Sequence, residues 1–442
     1  MPALHRRFGV GAALAMVVAE VLGVGIFLTP AGMARTLGTS AWVLAVWGLV
    51  GLCSAAGALC YAELGTRFPE AGGGYVYLRE AFGARAAFVY GWMSLLVMDP
   101  GLTAALGVGL AQYLLALLDG PAALAPMVAV ACILGASTLT VFGVERSARV
   151  LRWTAVAKLG AVALLVGAAA LHGSGAAGAL AHAHGPPPAS ALAGAFIGAF
   201  FAFGGWWDLG KMGEEVVDPR RTLPTALVGG VGVVTLVYAA VSLAFLHAVQ
   251  GSAPATDGAF VTALGSALFG RVAAPLLSVA VVVAVAGSLV AVLLGAPRVY
   301  LAMARSGVAP AALVRFDPRR QSTPVATAVQ VALACVLVTF GNFDQILGYF
   351  VPAAVFFLGL SAAALFRLPR PDPATPVFRA PWHPLPVVVF LALVAAILVL
   401  SAVGRPVQTL LGAGVVALGV PVSWLLVGRR PRSTADAPGG GA

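Results

Sequence analysis

Charge is what this chain has least of. Asp, Glu, Lys and Arg together make up 10% of its 442 residues, where a soluble domain carries about 25%. That shortage excludes an ordinary water-soluble fold. It does not signal disorder either, because 60% of the residues are hydrophobic and a disordered chain is poor in them. Cysteines are few: Cys53, Cys60, Cys132 and Cys335, each inside an apolar run. They read as small buried hydrophobes, not as a disulfide frame or a ligand set. His182 and His184 sit in a loop of Gly, Ala and Pro, too weak a pattern for a metal, so no metal or cofactor is expected. No Gly-x-Ser-x-Gly motif and no paired-His spacing marks an enzyme. Lys and Arg exceed Asp and Glu by 26 to 16, but they never form a dense block, so no nucleic-acid partner is expected.

Long apolar runs fill the space that charge leaves. A bilayer-crossing helix needs about 20 residues, and the runs predict twelve spans near 8–34, 41–64, 85–117, 124–143, 152–171, 192–214, 222–248, 272–301, 325–341, 346–366, 385–402 and 407–427. The runs are apolar on every face, which excludes the alternating strands of a membrane barrel. No cleavage site follows the first apolar stretch, so it is expected to remain as a span.

The cations test that count. With residues 1–7 in the cytoplasm, 22 of the 26 Lys and Arg fall on the inner side and only Arg35, Arg271 and Arg405 on the outer, with Lys158 inside a span. Cytoplasmic loops are enriched in cations in this way, and one missed span would invert every later loop. The expectation is a multi-pass protein of the cell membrane with both termini cytoplasmic, including the tail 428–442.

Two spans carry glycines in mid-helix, where each lowers helix propensity by about 1 kcal/mol against Ala. The first holds Gly23-Val24-Gly25-Ile26-Phe27, and the sixth Phe203-Gly204-Gly205-Trp206. Interruptions five spans apart point to an inverted repeat with a site at the repeat interface. The predicted fold is therefore all-α and polytopic: helices 1–5 (8–171) and 6–10 (192–366) as inverted repeats, helices 1 and 6 broken, an outer loop at 172–191, and two further helices at 385–427. Unwound helix ends attract a carboxylate at free N–H groups and an ammonium at free carbonyls. A small charged or zwitterionic solute fits such a site. The competing reading is that these glycines serve close helix packing.

Four motifs then carry a family resemblance. They are Val21-Leu-Gly-Val-Gly-Ile-Phe-Leu-Thr-Pro30, Tyr61-Ala-Glu-Leu-Gly-Thr-Arg-Phe-Pro-Glu-Ala-Gly-Gly-Gly-Tyr-Val-Tyr77, Phe201-Ala-Phe-Gly-Gly-Trp206 with the segment Glu214–Pro224, and Gly295–Gly307. In this order they resemble the amino acid–polyamine–organocation superfamily, most closely its L-type amino acid transporter branch, over roughly residues 8–427. The resemblance implies a five-plus-five repeat, alternating access, and amino acid or amine substrates. It also implies that backbone N–H groups of Val24, Gly25 and Ile26 meet the substrate carboxylate. Phe201, Ala202 and Phe203 lie near its amino group and side chain, and Gly204 and Gly205 supply room. Many relatives have Ser where this chain has Val24, which removes a hydroxyl but keeps the backbone donor.

Charges within the spans need separate explanations, because they are costly there. By the resemblance, Lys158 takes the place of the cation that sodium-coupled cousins bind and braces Gly23–Gly25; the alternative is snorkelling to the interface. Glu20, one turn before Gly23, has open roles: pairing with Lys158, pairing with a substrate amine, carrying a proton, or facing a watery vestibule. Asp208 lines the inner path or caps a restarted helix. Asp99 stands where the L-type branch often has Arg, and it gates, braces or lines a cavity. Trp206 and Trp207 close over a substrate or fill the core. Glu63, Glu214 and Glu215 read as inner-gate charges near Lys211, Arg220 and Arg221, or as a solvated rim.

The function expected from all this is secondary, sodium-independent transport of amino acids by exchange or proton coupling. An amine or polyamine permease of the same fold is the alternative. No obligate protein partner is inferred.

Overall fold

The computed structural model describes residues 6–23, 25–141, 144–171, 186–248, 260–309, 315, 317, 323–341 and 343–427. Val24, His182, His184 and the tail lie outside them. The architecture is all-helical. Among the described residues nine helical stretches are long and apolar enough to cross a bilayer, and Val10–Val21, Trp153–Leu164 and Pro324–Thr339 are shorter apolar helices. Large apolar side chains stand exposed along them, such as Leu52, Leu236, Leu410 and Leu418. An exposed apolar surface of this extent is stable against lipid, not water.

The first expected span is two helices, α1 (Val10–Val21) and α2 (Gly25–Leu37). Helix α3 (Ser40–Arg67) starts where the Thr39 hydroxyl accepts a hydrogen bond from Trp42 N, which satisfies one of the orphan donors of a helix start. A short helix that the apolar runs did not predict, α4 (Gly74–Phe82), follows. Its charged face takes it out of the apolar pattern: Arg79 is 2.9 Å from both Glu70 and Glu80. Burial works to lower the Arg79 guanidinium, but the two carboxylates carry it above its ordinary value.

Helix α5 (Ala84–Met93) passes through a π-helical turn at Ser94–Met98 into α6 (Asp99–Leu117). Pro100 explains this turn. Proline has no N–H to give the carbonyl four residues back and its ring crowds that carbonyl. The carbonyl is that of Leu96, and it accepts instead from the Tyr349 hydroxyl at 3.2 Å.

Next come α7 (Ala125–Val141), α8 (Val144–Leu171) and α9 (Ala189–Ala202). The sixth expected span stops at Ala202. A 3₁₀ segment, Trp206–Glu215, continues it. Helices α10 (Pro219–Ala248), α11 (Phe260–Gly295), α12 (Pro297–Arg305), α13 (Pro324–Phe340), α14 (Phe343–Arg367), α15 (Leu385–Gly404) and α16 (Pro406–Val427) complete the chain. Proline opens several of them, where its missing N–H has no intrahelical partner to lose.

Packing places the two breaks at the centre. Helix α1 lies against α8, α10, α11 and the 3₁₀ segment, while α2 lies against α9. Trp47, Phe203 and Tyr238 form one buried aromatic cluster beside them, with centroids 4.9–6.0 Å apart.

Candidate functional site

The two breaks touch. A Cβ added to Gly25 would sit 2.5 Å from Ala202 Cα, so only a glycine lets the start of α2 meet the end of α9. Gly205 has φ +113, and a Cβ there would lie 2.7 Å from Glu20 Cγ. A side-chain-bearing residue at Gly205 would be strained by its backbone as well as crowded. At both breaks the helix ends leave carbonyls without intrahelical donors. The Tyr238 hydroxyl lies between one from each, 2.7 Å from Val21 O and 2.6 Å from Ala202 O, with one proton to share between them.

Lys158 meets the first break from α8. Its Nζ donates to Ala19 O and, at 2.8 Å, to Ser288 Oγ, which itself donates to Ala19 O at 2.9 Å. Helix α8 begins at Val144, not near residue 152, so Lys158 lies about four turns in and is 1% exposed. Snorkelling is excluded by that burial. The ammonium sits at the negative end of the α1 dipole, where a cation is favourable.

A cavity of about 1210 Å³ reaches this meeting point from the end of the bundle that carries Gly120, Ser190 and Arg405. Gly25, Thr29, Met33 and Phe201 line it. Phe201 is fixed edge-on by Phe343 at 5.6 Å. Arg405 is the one charged residue among the described lining residues.

The opposite end is closed by ion pairs. Glu215 is 3.0 Å from Arg298 and Glu214 is 2.6 Å from Arg305. Glu63 holds Arg67 at 3.5 Å and accepts from Ala380 N at 2.9 Å. The chain start joins this layer: Arg7 N and Phe8 N donate to Glu215 O, and Val217 N donates to Phe8 O. Gly73, with φ +51, lets the loop before α4 press on the 3₁₀ backbone, where a Cβ would be 2.8 Å from Lys211 N.

The amino acid permease family profile matches residues 8–421. The chain belongs to that family. The permease is 28% identical to the serine/threonine exchanger SteT of Bacillus subtilis over 372 residues, covering 83% of this chain and 84% of that protein. It is 28% identical to the mouse large neutral amino acids transporter small subunit 2 over 446 residues, and to the mouse Asc-type amino acid transporter 1 over 435 residues. Each of these two alignments covers 96% of this chain and 81% of the relative. The permease is thus a secondary amino-acid carrier of the amino acid–polyamine–organocation superfamily and not an enzyme.

The remaining sequence candidates of the permease divide into three places. Gly25 and Phe201 face the cavity. Ile26, Ala202, Phe203, Trp206 and Trp207 are buried, and Gly204 makes the tight turn after α9, where a Cβ would stand 2.9 Å from Phe201 O. Trp206 packs on Tyr61, Trp207 and Phe390. Glu20, Asp99 and Asp208 come together with Lys211 in the interior. Lys211 was expected among the solvent-side gate charges. It is 1% exposed instead and bridges Asp99 Oδ1 at 3.0 Å and Asp208 Oδ1 at 2.9 Å. Tyr300 donates to Asp99 Oδ2 at 2.9 Å. The reason for the difference is the 3₁₀ winding, which turns Lys211 inward while Glu214 and Glu215 reach Arg305 and Arg298. Tyr238 and Ser288 carried no sequence signal, being ordinary residues in apolar runs.

Proposed function

We propose that this permease moves amino acids across the cell membrane by alternating access without sodium, most like the L-type branch. The observation that carries the reading is the buried Lys158 ammonium on Ala19 O and Ser288 Oγ. It occupies the end of α1 where, by the family resemblance, sodium-coupled cousins hold an ion. The substrate carboxylate meets the backbone at Val24, Gly25 and Ile26, and the amino group meets the carbonyl end of α9 near Phe201 and Ala202. The fold reading is twelve spans, a five-plus-five inverted repeat broken in helices 1 and 6, and both termini in the cytoplasm. The cavity then opens outward and the ion-paired end faces inward. Exchange and proton coupling both fit a carrier of this design.

The amine reading is weaker. A polyamine site wants carboxylates in the cavity, yet no Asp or Glu is among its described lining residues. The test is uptake of radiolabelled L-serine and L-leucine into proteoliposomes, with internal Na⁺ and external Na⁺ replaced by K⁺ or choline. Initial rates within about twofold of the sodium condition support the reading, since about 0.4 kcal/mol is all that such a ratio represents. A steep dependence on Na⁺ overturns it.

A further inference from the structure

Five ionisable side chains lie in one buried chain across the two breaks. Asp99 on α6, Lys211 and Asp208 on the 3₁₀ segment, Glu20 on α1 and Lys158 on α8 are each 5% exposed or less. Three acids face two lysines. If all five were ionised, one negative charge would be buried without a partner, which is strongly unfavourable in a low-dielectric interior.

The hydrogen bonds show where that charge would fall. Asp99 is served by Lys211 and by the Tyr300 hydroxyl. Asp208 Oδ1 is 2.9 Å from Lys211 Nζ, but neither Asp208 oxygen receives a hydrogen bond among the described residues. Neither oxygen of Glu20 receives a hydrogen bond from a nitrogen or hydroxyl donor among the described residues. Glu20 and Asp208 flank the same glycine: Glu20 Cγ lies 2.7 Å from where a Cβ on Gly205 would sit, and Asp208 N donates to Gly205 O at 2.9 Å. Three buried acids facing two lysines are not all ionised, and the proton falls to the two carboxyls whose oxygens lack hydrogen-bond partners. Glu20 also sits in the last turn of α1, whose dipole disfavours a negative charge. The lysine at that helix end is already committed to Ala19 O and Ser288. Tyr90 and Tyr300 are the other titratable groups beside this cluster.

We propose that Glu20 and Asp208 form a proton-binding carboxyl pair, which keeps one shared proton while the ion-paired end is closed and releases it to the cytoplasm when that end opens. The pair bridges α1 and the 3₁₀ segment, the two elements joined at the breaks. Opening that end by separating them would split the pair and expose both carboxyls to water, where each ionises. The proton comes from solvent and returns to it, so nothing else is consumed. The release step rests on the transporter reading above; the shared proton does not.

Infrared difference spectroscopy of the purified protein in lipid nanodiscs at neutral pH tests the pair. Wild type is expected to show the carbonyl band of a protonated carboxylic acid, shifted by deuterium. E20Q and D208N each leave two acids facing two lysines, so each should lose the band, while E214Q should keep it. Absence of the band in wild type, or its survival in both E20Q and D208N, overturns the pair. A second arm follows a trapped pH dye in proteoliposomes during uptake of L-serine or L-leucine. Proton movement with the amino acid in wild type supports release, and amino acid uptake with no proton movement overturns it. Wild type that moves neither amino acid but keeps the band, lost in both variants, refutes the function reading and leaves the pair standing.

Discussion

Where the cavity opens, its walls are largely glycine, alanine, threonine and apolar side chains, with Arg405 at the mouth; where the bundle closes, Glu215–Arg298 and Glu214–Arg305 pair across it, and Glu63 pairs with Arg67 one turn along α3. The difference separates two tasks. Binding a solute that carries its own charges needs donors and acceptors of modest strength, which broken helices supply from the backbone. Closing an end needs contacts strong enough to hold and able to be rehydrated on opening, and ion pairs meet both conditions. Between the two regions lies the buried chain from Asp99 to Lys158, close enough to the breaks to register movement at either.

The largest expected effect breaks the closed end at its most buried pair. Arg298→Ala leaves Glu215 buried and unpaired, a change that costs about 3–5 kcal/mol when one partner of a buried pair is removed. The thermal midpoint of the purified variant should fall by several degrees, and cysteine labelling from the ion-paired side should reach residues near Gly210. An unchanged midpoint and unchanged labelling would mean that the pair does not hold the closed end.

Next is the open end, at the contact of the breaks. Gly25→Ala places a methyl group 2.5 Å from Ala202 Cα, and overpacking of this kind costs about 1–3 kcal/mol. The start of α2 must move away from α9, so binding of L-serine or L-leucine by the purified variant should be lost while it still elutes as a single species. Wild-type affinity in Gly25→Ala would remove the first break from the site.

Lys158→Ala acts between the two regions. Ser288 still serves Ala19 O, so the local loss is about 1–3 kcal/mol, that of a buried group left partly unsatisfied. The variant should assemble but move substrate more slowly at matched protein density. Lys158→Arg should rescue poorly, because a planar guanidinium does not replace a compact ammonium. Equal initial rates in all three proteins would detach Lys158 from the cycle.

Much of this was legible in the residues. Gly23, Gly25, Gly204 and Gly205 stand where α1 and α9 end, because weak helix propensity is a local feature; a lone lysine in an apolar run stood out by its cost, but its bracing role came only through the family resemblance. What sequence could not show is pairing over distance. Asp99 and Lys211 are 112 positions apart, and nothing in either segment names the other. Asp99 read as a reversed charge and Lys211 as a rim cation; only the 3₁₀ winding of Trp206–Glu215 makes them partners. Tyr238 was silent for the same reason, since its hydroxyl matters only because α10 brings it to Val21 O and Ala202 O. Helix α4 was missed because its charges interrupt the apolar runs by which spans were found.

The smallest effect sharpens the comparison from within the closed end. Arg305 and Glu214 pair at 2.6 Å, as short a contact as any there, but their side chains are 28% and 22% exposed, against 6% and 3% for Arg298 and Glu215. If distance alone set the strength, Arg305→Ala would match Arg298→Ala. Solvent decides otherwise: a wetted pair gains little over its hydrated ions and is worth about 0.2–1 kcal/mol, and salt weakens it further. Glu214 already meets water at 22% exposure, whereas removing Arg298 leaves Glu215, at 3%, in the interior. Arg305→Ala should therefore shift the thermal midpoint by a fraction of the Arg298→Ala shift, and most of that fraction should vanish in high salt. Two equal shifts, both insensitive to salt, would show that the closed end is held by geometry shared between the pairs and not by the burial that separates them.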